Sequence, residues 1–218
     1  MVRFSNDIDI LKYEPVLFGE LHLPWQVVCA GTDGALSGTT FTAAGADFVS
    51  AGVETGGVIY MRSADGALDG GYEIVSVDSA TQLAVSVVRS DSQGNAVAPP
   101  GASDISYRVG TFSPQAGEAA FQLTEYFGIR PGNPASSIGV EDILDAEVFR
   151  RVSAFAVISS VYAMLASRTA DENFWAKSLH YRRLFEKAKE RCQLGIDLGG
   201  DGVVDLTRAG ASIRLARD

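Results

Sequence analysis

Two different hydrophobic rhythms divide this chain, and the change falls near residue 113. Before it, apolar residues alternate with polar ones. Tyr72 and Ile74 stand against Glu73, Val75 and Val77, and Leu83, Val85 and Val87 follow the same period of two. Such alternation puts one set of side chains on each face of a half-buried strand. The pattern predicts strands over 27–29, 58–61, 72–77, 83–88 and 105–109. Turn chemistry lies between them in Asp33-Gly34, Asp65-Gly66, Asp69-Gly70-Gly71 and Asp78-Ser79, and a looser connection holds Gly94-Asn95 and Pro99-Pro100-Gly101. Several short strands at this spacing predict a small antiparallel barrel or sandwich.

From Gln115 the period becomes helical. Ala119, Ala120, Leu123 and Phe127 make one short apolar face, which Arg130-Pro131-Gly132-Asn133-Pro134 interrupts. Leu144, Val148, Val152, Phe155, Ile158, Tyr162 and Leu165 recur at steps of three and four, predicting a long helix over 140–167. A basic helix follows over 174–193. Asp171 and Glu172 stand at its start, its stripe is Phe174, Tyr181, Phe185, Ala188 and Cys192, and Gly195 stops it. The fold class expected is α+β. An antiparallel β module over 26–112 precedes a helical bundle over 113–195, and 196–218 forms a loop and an extended tail. Residues 1–25 are apolar without a clean period and are expected to pack on the bundle, which makes the β module an insertion.

Composition narrows the function. Hydrophobic residues are 46% and charged residues 21% of 218, ordinary for a globular protein. No uninterrupted apolar run reaches the ~18 residues of a membrane span, and the polar start lacks the apolar centre of a signal peptide. No membrane partner and assembly in a cell's cytoplasm are therefore expected. Cys29 and Cys192 fall in different predicted modules and read as small buried hydrophobes. Net charge is −9, unevenly spread: from Phe174 onward nine basic residues face six acidic ones, leaving an acidic body before it. Such a body does not suit gripping nucleic acid with the whole surface. The basic helix interleaves Glu186 and Glu190 with its lysines and arginines, which favours a solvated or partner-facing surface over base readout.

Candidate chemistry is sparse. Asp197-Leu198-Gly199-Gly200-Asp201-Gly202-Val203-Val204-Asp205 begins like a calcium loop, with Asp197, Asp201 and Asp205 at ligand positions and Gly202 at the turn. Gly199 and Arg208 stand where two further ligands belong, so the expectation is a glycine-rich turn whose carboxylates accept backbone N–H groups, with Arg208 available to pair with one of them. The glycines at 52, 56 and 57 lead into a strand and lack the Gly-Lys-Ser/Thr of a phosphate loop. His22 and His180 have no triad partner at a telling spacing, and Glu141, Asp142, Asp145 and Glu147 read as the dipole-favoured start of a helix. No enzyme activity and no cofactor are expected.

The helical half nevertheless resembles a family: the head–tail connector (adaptor) proteins of tailed bacteriophages and related gene-transfer particles. The residues carrying the resemblance are the apolar helix 143–165, Tyr181-Arg182-Arg183-Leu184-Phe185-Glu186, and the stretch Ile196-Asp197 … Asp201-Gly202 … Asp205 … Arg208 … Leu215-Ala216-Arg217. It covers about 115–218, and the β module departs from the all-helical members. The resemblance implies a homo-oligomeric ring beneath the portal protein, in contact with other neck or tail proteins. DNA would pass its channel without sequence readout, in a virion assembled in the host cytoplasm. Docking would fall to the tail, with Leu206, Ile213 and Leu215 as apolar anchors and Arg208, Arg214 and Arg217 meeting acids on a neighbour. Two other classes stay open: another virion protein (neck stopper, tail-completion or decoration protein), and a calcium-stabilised glycan-binding module or enzyme.

Overall fold

The structure, a computed structural model, describes residues 2–169 and 171–210. It divides into two compact units, Asn6–Phe112 and Met1–Ser5 with Ser113–Asp218. Residues 6–26 thus group with the β unit and only 1–5 with the helices, where the sequence pattern had assigned all of 1–25 to the helical half.

The first unit is a closed antiparallel barrel of six strands: β1 (Val27–Ser37), β2 (Thr40–Ala43), β3 (Val58–Arg62), β4 (Asp69–Ser79), β5 (Gln82–Ser86) and β6 (Ala102–Gly110), in the order β1-β2-β5-β4-β3-β6. Alternation drives it. On β6, Ile105, Tyr107 and Val109 point inward and are buried, meeting Phe41, Ile59, Met61, Ile74, Leu83 and Val85. Phe41, Phe48 and Tyr107 form an aromatic cluster with centroids 5.1–6.2 Å apart. Bulges between Gly31 and Gly34 and between Gly34 and Leu36 bend β1 around the core. A Cβ on Gly34 would lie 2.8 Å from the Phe41 ring and 2.9 Å from the Ile105 carbonyl, so only glycine allows the strand this close.

The N-terminal segment closes one side of this unit. Asn6 caps α1 (Asp7–Leu11) in a reciprocal capping box with Asp9. Asp7 accepts the Phe112 amide at 2.7 Å, and Ile8 donates to the Gly56 carbonyl at 3.0 Å. Further along, Arg108 donates to the carbonyls of Phe18 and Gly19, both at 2.9 Å, and lies over the Tyr60 ring.

The second unit holds three helices: α2 (Ser113–Tyr126), α3 (Arg150–Thr169) and α4 (Glu172–Arg191). Helix α3 begins later than its hydrophobic stripe suggests. Residues 140–142 and 146–149 form 3-10 turns, and Leu144 is 42% exposed. Val152, Phe155, Ile158, Tyr162 and Leu165 are buried as the stripe requires. By length and composition Ala146–Thr169 is apolar enough to cross a membrane, yet 56% of the apolar window is buried in the protein, as in a core helix. Tyr162 stacks on Tyr181 at 6.3 Å and packs against Phe174 at 5.9 Å. Ser159 and Ser178 donate their hydroxyls to each other's carbonyls at 3.0 and 2.9 Å, joining α3 to α4 where the side chains are small. Phe4 packs on Phe149, and the Ser5 and Ser153 hydroxyls meet at 2.8 Å.

The chain then does something its pattern did not announce. After α4, β7 (Gln193–Ile196) pairs with β8 (Leu206–Ala209) in an antiparallel hairpin, with Leu194 and Ile196 buried. The first residues of the expected extended tail are therefore strand. The anchors Ile213, Arg214, Leu215 and Arg217 lie outside the described residues.

Candidate functional site

The hairpin β7–β8 and its connecting loop 197–205 form the first candidate. Asp197 accepts the amides of Gly200 at 2.6 Å, Asp201 at 3.3 Å and Gly202 at 2.7 Å. Asp205 accepts those of Leu198 at 2.8 Å and Gly199 at 3.1 Å, and Asp201 accepts that of Val203 at 2.9 Å. Gly200 and Gly202 adopt φ of 69° and 81°, which turns their N–H groups inward at little steric cost. The Gly202 amide, ahead of the other turn amides, holds the Asp197 carboxyl below its ordinary value against the opposing effect of burial. The three carboxylates are thus ligands to the loop's own backbone. Among the described residues, no group of three or more His, Cys, Asp or Glu side chains is placed to hold a metal ion.

Arg208 does not pair with a loop aspartate. Its Nη1 donates to the carbonyls of Phe127 and Gly128, at 2.5 and 2.8 Å. These oxygens belong to the two residues that follow α2, at the helix end where carbonyls lack helical partners and a cation is favoured by the dipole. Arg208 thereby fastens β8 to the helices. Leu206 stays 39% exposed.

The second candidate escaped the sequence reading. A groove of about 560 Å³ opens between α2 and α4, with α3 as its floor. Ala156, Ser159, Ser160 and Ala163 make the floor, at the three- and four-residue spacing of one helix face. Ala119 lines one wall, and Trp175, Leu179 and Arg182 line the other. Trp175 is 54% exposed, an apolar body left against water beside the groove. The signal was a second stripe on each helix, small residues on α3 and Trp175, Leu179 and Arg182 on α4, set beside the stronger core stripe that masked it.

The remaining sequence candidates are separately placed. His22 lies in the barrel unit with Nδ1 3.0 Å from the Gly19 carbonyl oxygen, whereas His180 is exposed on α4, edge-on to Tyr181. Asp142 accepts the Gly139 amide and Asp145 that of Glu147, so these acids cap the 3-10 turns before α3, while Glu141 and Glu147 pair with Arg130 and Arg150. Gly52 and Gly56 sit in turns with positive φ. Both cysteines are free thiols, and burial is the main cause raising the pKa of each.

Comparison with protein-family models, with curated proteins and with solved structures gives no match to this chain.

Proposed function

We propose that this chain is a structural virion protein, a head–tail connector of the adaptor type that forms a ring beneath the portal and joins the DNA-filled head to the tail. The observation that carries the reading is the helical unit with its C-terminal hairpin. Three helices present an open groove lined by apolar and polar residues alike, and Arg208 fastens the C-terminal hairpin to the carbonyls of Phe127 and Gly128. Both are features of a protein that works by contact. Support also comes from the family resemblance of residues 115–218 and from the acidic body, which does not hold passing DNA.

In this reading Arg208 acts within its own chain, and docking on the portal falls to Leu206 with Ile213, Arg214, Leu215 and Arg217. Deleting 211–218 leaves β8 and the Arg208 contacts intact. The truncated protein is expected to keep the helical content and thermal midpoint of the full chain and to lose the ability to join filled heads to tails, scored by electron microscopy of assembled particles. Normal joining by the truncated protein removes the docking role of the tail. Failure of the full chain to bind portal-bearing heads at all sinks the connector reading.

A further inference from the structure

Charge is divided between the two units. The barrel unit, residues 6–112, holds thirteen acidic residues against four basic ones, which leaves −9, the whole net charge of the chain. Helices α3 and α4 carry the opposite sign: residues 150–191 hold nine basic residues against four acidic ones, leaving +5. Helix α3 itself has three arginines and no acidic residue.

The positive charge collects on one strip of α4. Asn173, Ala176, His180, Arg183, Lys187 and Arg191 recur at steps of three and four, so they share a face, and all six are exposed. No acidic residue stands on it. Glu172 and Glu190 border one edge, and Glu186 is engaged by Lys189 at 2.6 Å. On the other edge Lys177 lies over the Tyr162 ring and Arg151 over the Phe155 ring, 4.8 and 5.3 Å from the centroids. Among the described residues no ion pair engages Arg183, Lys187 or Arg191. A row of cations without counter-charge of its own fits an anionic partner.

The molecule supplies such a partner in the barrel of another copy. Nine acidic residues of the barrel unit are exposed, against Lys12 and Arg62. Three of the nine share one wall. Asp33 on β1 and Asp104 on β6 lie diagonally about the Gly34–Ile105 register pair. Asp47 joins them, because Asp33 accepts the Gly45 amide at 2.6 Å and so draws the connection after β2 against β1. The cations of the same side are already engaged. Arg62, opposite Ser106, pairs with Asp69 at 3.9 Å, and Arg108 donates to the Phe18 and Gly19 carbonyls. Duplex DNA is the rival anion, but it would have to approach a chain of net charge −9.

We propose that the α4 stripe of one copy docks on the Asp33–Asp47–Asp104 wall of a second copy's barrel. The two surfaces are different patches, so the contact is head-to-tail. Such a contact propagates from copy to copy and closes into a ring when the rotation permits. The inference rests on the connector reading for the ring as its product, but the contact is tested with the purified full chain alone.

Sedimentation velocity and mass photometry read the association. Wild type is expected to form species larger than a dimer as concentration rises. Raising salt from about 0.1 to about 1 M shortens the screening length from about 10 to about 3 Å, and association is expected to weaken at least about tenfold. A stripe variant (Arg183→Glu with Lys187→Glu) and a wall variant (Asp33→Lys with Asp47→Lys) are each expected to stay monomeric, because each sets like charges face to face. Their equimolar mixture offers a negative stripe to a positive wall and the native stripe to the native wall, so it is expected to assemble. Circular dichroism checks folding. Where a reversal unfolds the chain, Arg183→Gln with Lys187→Gln or Asp33→Asn with Asp47→Asn takes its place; the asparagines keep an oxygen for the Gly45 and Ser50 amides. These neutral variants are expected to associate at least about tenfold more weakly than wild type. The proposal is overturned by a wild type that stays monomeric to its solubility limit, by association that salt leaves unchanged, by variants that assemble like wild type, or by a reversed mixture that stays monomeric. A monomeric wild type that binds duplex DNA through the stripe assigns that face to nucleic acid instead. A protein that passes these tests yet never joins heads to tails refutes the connector reading and leaves the contact standing.

Discussion

Glu73 and Arg89 form a buried ion pair that fastens the long β5–β6 connection to the barrel wall, and removing one partner should be costly. Glu73 lies on β4 and is 4% exposed. Its carboxylate accepts Arg89 Nη2 at 2.7 Å, Nε at 3.1 Å and the Arg89 amide at 3.3 Å. The same guanidinium donates to the Gly94 carbonyl, and Val97 donates to Ser86 Oγ at 2.8 Å, so the connection is tied at successive points. Glu73→Ala leaves Arg89 beneath the surface without its anion. Losing one partner of a deeply buried pair costs about 3–5 kcal/mol, and one hydrogen bond to a charged group contributes about 1.5–3 kcal/mol. Because the Arg89 side chain keeps 10% of its exposure, water compensates part of the loss. A cost of about 2–3 kcal/mol is expected. With a urea dependence of about 1–3 kcal/mol per molar, the midpoint falls by roughly 0.7–3 M. Urea unfolding followed by hydrogen exchange over β4 and β5 reads the barrel separately from the helical unit, which matters because two units need not unfold together. Adding Arg89→Ala to the Glu73→Ala chain should cost little more, since it removes the stranded charge. The reasoning is refuted if Glu73→Ala shifts the barrel by less than about 0.5 kcal/mol, or if the two substitutions are additive.

Two further predictions concern the helical unit. Gly132→Ala would place a Cβ 2.2 Å from the Glu125 nitrogen and 2.7 Å from the Phe121 carbonyl; both are α2 backbone and cannot yield. A loss toward the upper end of about 1–3 kcal/mol is expected, and an unchanged thermal midpoint at 222 nm would contradict it. The depressed Asp197 carboxyl makes the loop pH-dependent. Its stabilisation is fully present above the unfolded value of about 3.9 and is lost as pH falls through the lower folded value. The protection of the Gly200 and Gly202 amides, taken relative to their intrinsic exchange rates, should therefore fall in acid, and Asp197→Asn should flatten that response; protection that persists to about pH 2 would show that the carboxylate is not what holds the turn.

The sequence revealed most where one surface was buried and the other wet. Tyr72–Val77, Leu83–Ser86 and the α3 stripe from Val152 to Leu165 carried their periods openly and were found in the elements expected, although the strand expected to run to residue 88 ends at Ser86 and leaves Val87 exposed. Errors came where glycine has two meanings. Asp33-Gly34 and Asp69-Gly70-Gly71 look like turns but lie within β1 and β4, where absent side chains permit bulging and close approach. The true turn after β1 is at Gly38, with φ of 59°. Strand β2 has four residues, too few to show a period. Leu144 and Val148 extended the stripe into residues that fold as a bend and a 3-10 turn, because apolar spacing does not register how the backbone is wound. The hairpin β7–β8 was hidden for a similar reason, its inward residues being only Leu194 and Ile196 next to a helix stop. The role of Arg208 depends on carbonyls eighty residues earlier, a distance that local pattern does not span.

Closure of the barrel decides how this chain behaves beside copies of itself. Every one of its six strands has neighbours on both sides, so it exposes no ladder of unsatisfied amides and carbonyls to which a foreign strand could add. In the two-stranded sheet, by contrast, β8 has β7 on one flank and no strand on the other among the described residues. Crowding many copies together thus leaves the barrels inert toward one another, and Leu206–Ala209 is the place where a protease-resistant, backbone-paired adduct with another polypeptide would first form.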